Sequence, residues 1–337
     1  MEIKKNYNLS KLNTFGIDVN TDFFAEIKSE NDIEELFSSP EFKHYEKIFL
    51  GGGSNILFTK DFHGIVILNK LKGIEITEES NESVSVRAMG GEIWNDLVLF
   101  AVNHGYWGIE NLSLVPGTVG AAPMQNIGAY GSEIKETLLN VETFEVATGK
   151  KKIFNNEECE LGYRDSIFKN KVKGKYFISA ITLKLSKKEN KNVTYRALKE
   201  YLENNKIEIH NSKDISEAVA SIRNSKLPDP KILGNAGSFF KNVFIKKDEL
   251  QKLLLEYPDI PSFEEKGLMK IPAGWLIEQC GWKGRKLGNV GVHEKQALVL
   301  VNYGNATGSE VFNLANQIIK SVRNKFGLEL IPEVNLI

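Results

Sequence analysis

Three consecutive glycines, Gly51, Gly52 and Gly53, stand between the apolar runs of "LGGGSNILF" and are the first residues whose types could do chemistry. Glycine lets a backbone approach a ligand with no Cβ in the way, and successive free N–H groups make a concavity for an anion. A tight turn would use the same residues. A P-loop is excluded, because it needs Gly-Lys before Ser or Thr and here Ser54-Asn55 follow Gly53. The dinucleotide fingerprint fails too: Ile56 fills its third glycine position, and "ILF" reads as extended where a helix is required. A second segment, "VPGTVGAAPMQNIGAYGSE" from Val115 to Glu133, holds four glycines and two prolines and suits neither a regular helix nor a strand. Alone, the glycine run leaves turn and phosphate cradle open. Two side-chain-poor loops point to a long ligand gripped through backbone amides on both sides, and a dinucleotide has that shape.

The elements that must position these loops follow from periodicity. Residues 47–50 and 65–68 are β-branched or otherwise apolar and read as short buried strands flanking the triple glycine. "SVSVRAM" from Ser83 alternates as a strand, and "EIWNDLVLFAVNHG" has helical apolar spacing with Gly105 as its stop. "VETFEVATGKKKIF" predicts a hairpin turning at Thr148 and Gly149, and "YFISAITLKLS" a further strand. The lysine-rich "SKKENKN" reads as a surface linker before a helix in "YRALKEYLENN". "SKDISEAVASIRNSKLPDP" predicts a helix capped by Ser212 or Asp214, with Pro228 beyond its end. The last third offers the apolar helix "PAGWLIEQCG", the strand "ALVLVN" and a helix from about Ser309 to Phe326 ended by Gly327. Trp275 and Trp282 are expected in core packing.

Composition narrows the class. Forty-three basic residues nearly balance forty-four acidic ones in 337, with both signs mixed, which argues against a nucleic-acid partner. Cys159 and Cys280 make no CxxC, and the five histidines have no ligand spacing, so no metal is expected and a reducing cytoplasm suits the thiols. No apolar run approaches a bilayer span and no signal core stands at the amino end, so no membrane association is expected.

"LGGGSNILF", "GIENLSLVPGTVGAAPMQNIGAYGSEI", "YRDSIFK", "LPDPKILGNAGSFFKN" and "PAGWLIEQCGWKG" followed by "VHEKQALVLVN" occur in an order that closely resembles the UDP-N-acetylenolpyruvoylglucosamine reductase family, of the long-loop class with a substrate-side tyrosine. The resemblance implies an α+β, three-domain flavoprotein with a vanillyl-alcohol-oxidase-type FAD-binding fold plus a C-terminal substrate-binding domain. It implies division into FAD-binding subdomains at 1–68 and 69–217, a substrate-binding domain at 218–327 and a terminal strand at 328–337 returning to the active site. Non-covalent FAD would be held by Gly51, Gly52, Gly53, Ser54, Asn55 and Ile56 in the first loop. In the second it would meet Pro116, Gly117, Val119, Gly120, Ala121, Gln125, Asn126, Gly128, Ala129 and Gly131.

The implied reaction belongs to peptidoglycan precursor synthesis. NADPH gives hydride to the flavin, which passes it to the alkene of UDP-N-acetylglucosamine enolpyruvate; the two substrates use one cleft in turn. Charge then builds beside the carboxylate, so the site needs cationic or hydrogen-bonding groups there and one positioned proton donor. Ser238 in "NAGSFFKN" matches the family's donor, with Lys226, Lys241 and Asn242 near in sequence to stabilise its alkoxide; the bland alternative is a hydroxyl bonding backbone in a glycine turn. Arg164 matches the arginine facing the substrate carboxylate. A salt bridge to Asp165 is the alternative, disfavoured because neighbours on a strand point opposite ways. Glu333 matches a C-terminal glutamate that hydrogen-bonds the enolic intermediate, and its flanks "LELIP" and "VNLI" favour a docked strand, weakly held because of Asn335 and the nearby chain end. Tyr130, Tyr195, Arg223, Lys226, Asn242 and Gln296 would bind the UDP-sugar. No obligate protein partner is implied. A flavin oxidase of the same fold would share the glycine loops without needing Ser238, Arg164 and Glu333; its covalent tether could only be His63. A nucleotide-binding scaffold would need none of the three.

Overall fold

Contacts along the chain in the computed structural model, which describes residues 1–337, divide it into two units. The first comprises Met1–Tyr7, Thr21–Gly53 and His63–Ser225. The two expected strands flanking the triple glycine form as Lys47–Leu50 and Phe62–Asn69 and pair in parallel, Lys47 against Ile65 and Leu50 against Leu68. They complete a four-stranded sheet whose order continues through Asn20–Ile27 to Ile3–Asn8. Helix Glu30–Ser38 packs Ile33, Leu36 and Phe37 with Ile65 and Ile67 of that sheet. Its start is fixed by a capping box, in which the Ser29 hydroxyl accepts from Asp32 N and the Asp32 carboxylate from Ser29 N.

A five-stranded antiparallel sheet follows, ordered Lys151–Asn155, Leu138–Glu145, Tyr176–Ser186, Ser83–Met89, Ile74–Glu79. The alternation seen in "SVSVRAM" puts Val84, Val86 and Ala88 into the core. Helix Trp94–Asn103 lays Trp94, Leu97, Val98, Ala101 and Val102 against the same cluster, each large apolar side chain contributing roughly 1.5–3 kcal/mol by its burial. Gly105, at φ +74°, ends it, and Gly149, at φ +70°, turns the hairpin. Helix Ser212–Lys226 is capped differently from expectation: the Asn211 side chain accepts from Lys213 N and Asp214 N, while Asp214 accepts from His210 N and Asn211 N. Asp214 is thus the reciprocal partner of an asparagine cap, and Ser212 is buried inside the first turn.

The second unit comprises Asn8–Asn20, Ser54–Phe62 and Lys226–Ile337. Its main sheet runs Gly234–Ser238, Val299–Asn302, Val290–Val292, Lys286–Leu287, covered by helix Gly308–Phe326, which Gly327 at φ +68° terminates as expected. A smaller sheet joins Val243–Ile245, Leu268–Ile271 and Phe263–Glu265, beside helix Lys247–Glu256. Trp282 is buried, as expected, and Trp275 packs on Phe326 with ring centroids 5.7 Å apart. No helix is long and apolar enough to cross a membrane.

The C-terminus is held more firmly than its shortness suggests. Asn335–Leu336 pairs in parallel with Ile56–Leu57. Asn335 donates both its backbone N–H and its side-chain amide to the Asn55 carbonyl, at 3.1 and 2.9 Å, and the Ile337 carbonyl accepts from Thr59 N and Oγ1. The residue expected to loosen this strand adds a bond to it.

Candidate active site

Within the first unit the two glycine loops lie against each other. A Cβ on Gly51 would stand 2.4 Å from Thr118 Oγ1, and one on Gly52 would stand 3.0 Å from the Gly117 Cα. Glycine at 51 and 52 is therefore demanded by loop-on-loop packing, and Gly53 by its φ of +62°. The N–H groups of Gly51, Gly52, Gly117 and Thr118 donate to no protein acceptor. Thr118 Oγ1 is buried without a hydrogen-bond partner. Four amide donors and an orphan hydroxyl brought together from two loops suit the pyrophosphate of a dinucleotide. Nothing in the sequence singles out Thr118 within the second loop; only the fold turns its hydroxyl toward Gly51.

The second loop continues as three short 3-10 turns and a two-residue hairpin, Gly128–Ala129 with Ser132–Glu133. Asn126 is fully buried, its amide donating to Glu133 and Gly162 and its oxygen accepting from Lys135 N, so its side chain braces the loop. Gly120 packs backbone to backbone on Gly90. At the hairpin tip Tyr130 and Gly131 both have positive φ, +46° and +88°, as a type I′ turn requires. For a tyrosine that conformation costs of order 1–3 kcal/mol. Arg164 is strained likewise at φ +52°, because Gly162 and Asp165 close a tight turn. The expected strand through Arg164 is absent. Its guanidinium donates to the Gly128 carbonyl at 2.8 Å, while the Asp165 carboxylate accepts from Ser166 N and Asn170.

Tyr130, Arg164 and Arg223 come together electrostatically. Burial pushes the Arg223 guanidinium below its ordinary value, with Arg164 adding to the effect and Tyr130 opposing it. Arg223 Nε has no partner, and no carboxylate pairs with this side chain. A buried guanidinium without a counter-ion suits an anionic ligand. Burial likewise raises the Tyr130 hydroxyl. The half-exposed Tyr195 sets its ring edge-to-face on Tyr130, centroids 5.4 Å apart. His63 is exposed, 3.4 Å from Asp22.

In the second unit Ser238 ends the strand Gly234–Ser238 after an irregularity in its pairing with Val299–Asn302, and Gly237 before it has φ +68°. Its side chain is exposed and its hydroxyl makes no hydrogen bond to the protein, so it is not bonding backbone in a glycine turn. Glu333 is tied to the residue that follows Ser238: Glu333 N donates to the Phe239 carbonyl at 2.7 Å, and Lys241 N to that of Ile331. Lys226 is exposed. Asn242 Oδ1 accepts from Ala273 N at the start of helix Ala273–Gln279, and Gln296 Oε1 accepts from Leu298 N. Ser54, Asn55 and Ile56 also belong here, Asn55 and Ile56 next to the terminal strand.

Residues 21–154, which include both glycine loops, match the FAD binding domain family, and this together with full-length reductase relatives makes the chain an FAD-dependent oxidoreductase. Residues 229–337 match the C-terminal domain of UDP-N-acetylenolpyruvoylglucosamine reductase. The chain is 45% identical to the UDP-N-acetylenolpyruvoylglucosamine reductase of Flavobacterium johnsoniae and 47% identical to that of Amoebophilus asiaticus, with all of both chains covered in each comparison. It therefore belongs to the UDP-N-acetylenolpyruvoylglucosamine reductase family of peptidoglycan precursor synthesis. The crystal structure of the Thermus caldophilus enzyme shares the fold, at a TM-score of 0.69 over 100% of this chain and 99% of that one, with 21% identity.

Proposed function

We propose that the chain uses NADPH to reduce UDP-N-acetylglucosamine enolpyruvate to UDP-N-acetylmuramate in the cytoplasm. The observation that carries this reading is the Arg223 guanidinium, buried beside Tyr130 and Arg164 without a carboxylate partner, since an anionic nucleotide sugar would supply the missing charge. Bound FAD would supply two-electron hydride chemistry between the two substrates. Gly51, Gly52, Gly117 and Thr118 would hold it through their amides.

The protein's own groups have separate tasks. Arg164 neutralises charge at the enolpyruvyl carboxylate, its fork matching the two oxygens. Ser238, whose hydroxyl no protein group engages, gives its proton to the carbon beside that carboxylate. Glu333 holds the enolic intermediate by a hydrogen bond. Tyr130, Tyr195, Arg223, Lys226, Asn242 and Gln296 bind the UDP-sugar, with the substrate-binding role centred on residues 218–327.

Anaerobic spectroscopy tests the reading. NADPH should bleach the flavin absorbance and UDP-N-acetylglucosamine enolpyruvate should restore it. Persistent bleaching after the sugar is added removes that substrate.

A further inference from the structure

We propose that Asn111 is a positioning residue: its side-chain amide latches residues 187–195 onto the Tyr130 turn, so that Tyr195 stands beside the sugar-binding side chains. The inference deepens the function proposed above and rests on it for the role of those side chains. Asn111 is 1% exposed and lies in the 3-10 turn Glu110–Leu112. Its Nδ2 donates to the Tyr130 carbonyl and to the Asn192 carbonyl, each at 2.8 Å. Carbonyl oxygens only accept, so the nitrogen must face them and the amide cannot be flipped. The Asn111 Oδ1 is left buried with no partner. A residue that leaves one of its polar atoms unsatisfied at a cost in stability is there for the other.

Asn192 completes the clamp from its own side. Its Nδ2 donates to the Gly131 carbonyl and Ser132 Oγ, at 3.0 and 3.1 Å, and its Oδ1 accepts from Thr194 N and Oγ1. Tyr195 comes next in the chain and leads into helix Arg196–Asn205. The same turn also reaches the helix that carries Arg223. Ser113 Oγ donates to the Glu110 carbonyl, so its 2.7 Å contact with Ser216 Oγ uses the Ser216 proton. Ser216 lies two turns before Arg223 on helix Ser212–Lys226. Residues 110–113 thus tie together the turn bearing Tyr130, the segment bearing Tyr195 and the helix bearing Arg223.

Asn111→Asp is the discriminating variant, because it keeps the shape and puts an acceptor against two carbonyls. Trypsin reads the latch directly at Lys188 and Lys191 in the segment it holds. In the full-length protein without substrate, cleavage there should be roughly tenfold faster in N111D, the effect of losing about one net hydrogen bond. With FAD bound, KM for the enolpyruvyl sugar should rise about tenfold while kcat and flavin content change little. Asn192→Ala, on the partly exposed segment, should shift both readouts the same way and serves if N111D does not fold. Unchanged cleavage in a folded variant overturns the latch; faster cleavage with unchanged KM overturns the positioning role. If the wild-type protein turns over no enolpyruvyl sugar, the proposed function fails, whereas the cleavage comparison still decides the latch.

Discussion

Gly52 and Gly117 meet backbone to backbone, close enough that a methyl group on Gly52 would stand 3.0 Å from the Gly117 Cα. At Gly51 the obstacle is instead a side-chain hydroxyl, that of Thr118 at 2.4 Å. The two positions should therefore respond differently to alanine. Gly52→Ala should lower FAD occupancy, read as the ratio of flavin to protein absorbance, with no simple rescue. Gly51→Ala should lower it too, and Thr118→Ala in the same chain should restore part of the loss. Equal, additive losses in the double variant would show that the contact is not the constraint.

Ser238 is exposed and its hydroxyl bonds no protein group. Ser238→Ala should keep stability within about 0.5 kcal/mol and keep FAD, while turnover drops by roughly 100- to 10,000-fold as expected for loss of a general acid. Turnover near wild type would assign the proton to another donor.

Arg223 combines burial with the lack of a carboxylate partner, which is unfavourable for the fold. Arg223→Met, which keeps an unbranched apolar stem and removes the charge, should melt at the same temperature or higher and bind the UDP-sugar at least tenfold more weakly. A large drop in melting temperature would mean that the guanidinium is structural.

Glu110 is 2% exposed, and burial raises its carboxyl above the usual range although it accepts from Gly108 N at 2.6 Å. A raised value means that the folded protein holds the proton more tightly than the unfolded chain. The associated stability is full below the unfolded value of about 4.3 and is lost as pH rises through the folded value. Glu110→Gln keeps the acceptor and should be more stable than wild type at pH 7, with the difference vanishing near pH 4. Thermal melts at both pH values check the sign.

The C-terminal strand is anchored by Asn335 on Asn55 and by Ile337 on Leu57 and Thr59. Removing residues 335–337 should lower kcat far more than it lowers the melting temperature, because Glu333 loses its anchor while the core of the second unit, Val311, Leu314 and Ile318 among it, is untouched. A matched loss of both would make the strand a stability element alone.

Local pattern and turn chemistry were enough for much of this molecule. The strand Lys47–Leu50, the alternation of Ser83–Met89, the helix Trp94–Asn103 with its Gly105 stop and the helix Gly308–Phe326 with Gly327 are all written in residues near one another, because side-chain period and positive φ are local properties. The motif series likewise identified the flavoprotein family. The three-residue strands Val243–Ile245 and Phe263–Glu265 are too short to carry a period and were not legible. Neither were contacts between distant residues: Gly52 on Gly117, Asn111 holding Asn192, or Asn335 fastening on Asn55. Such contacts are fixed by the packing of whole sheets and helices, which decides which loops share space, and no residue type announces a partner so far along the chain.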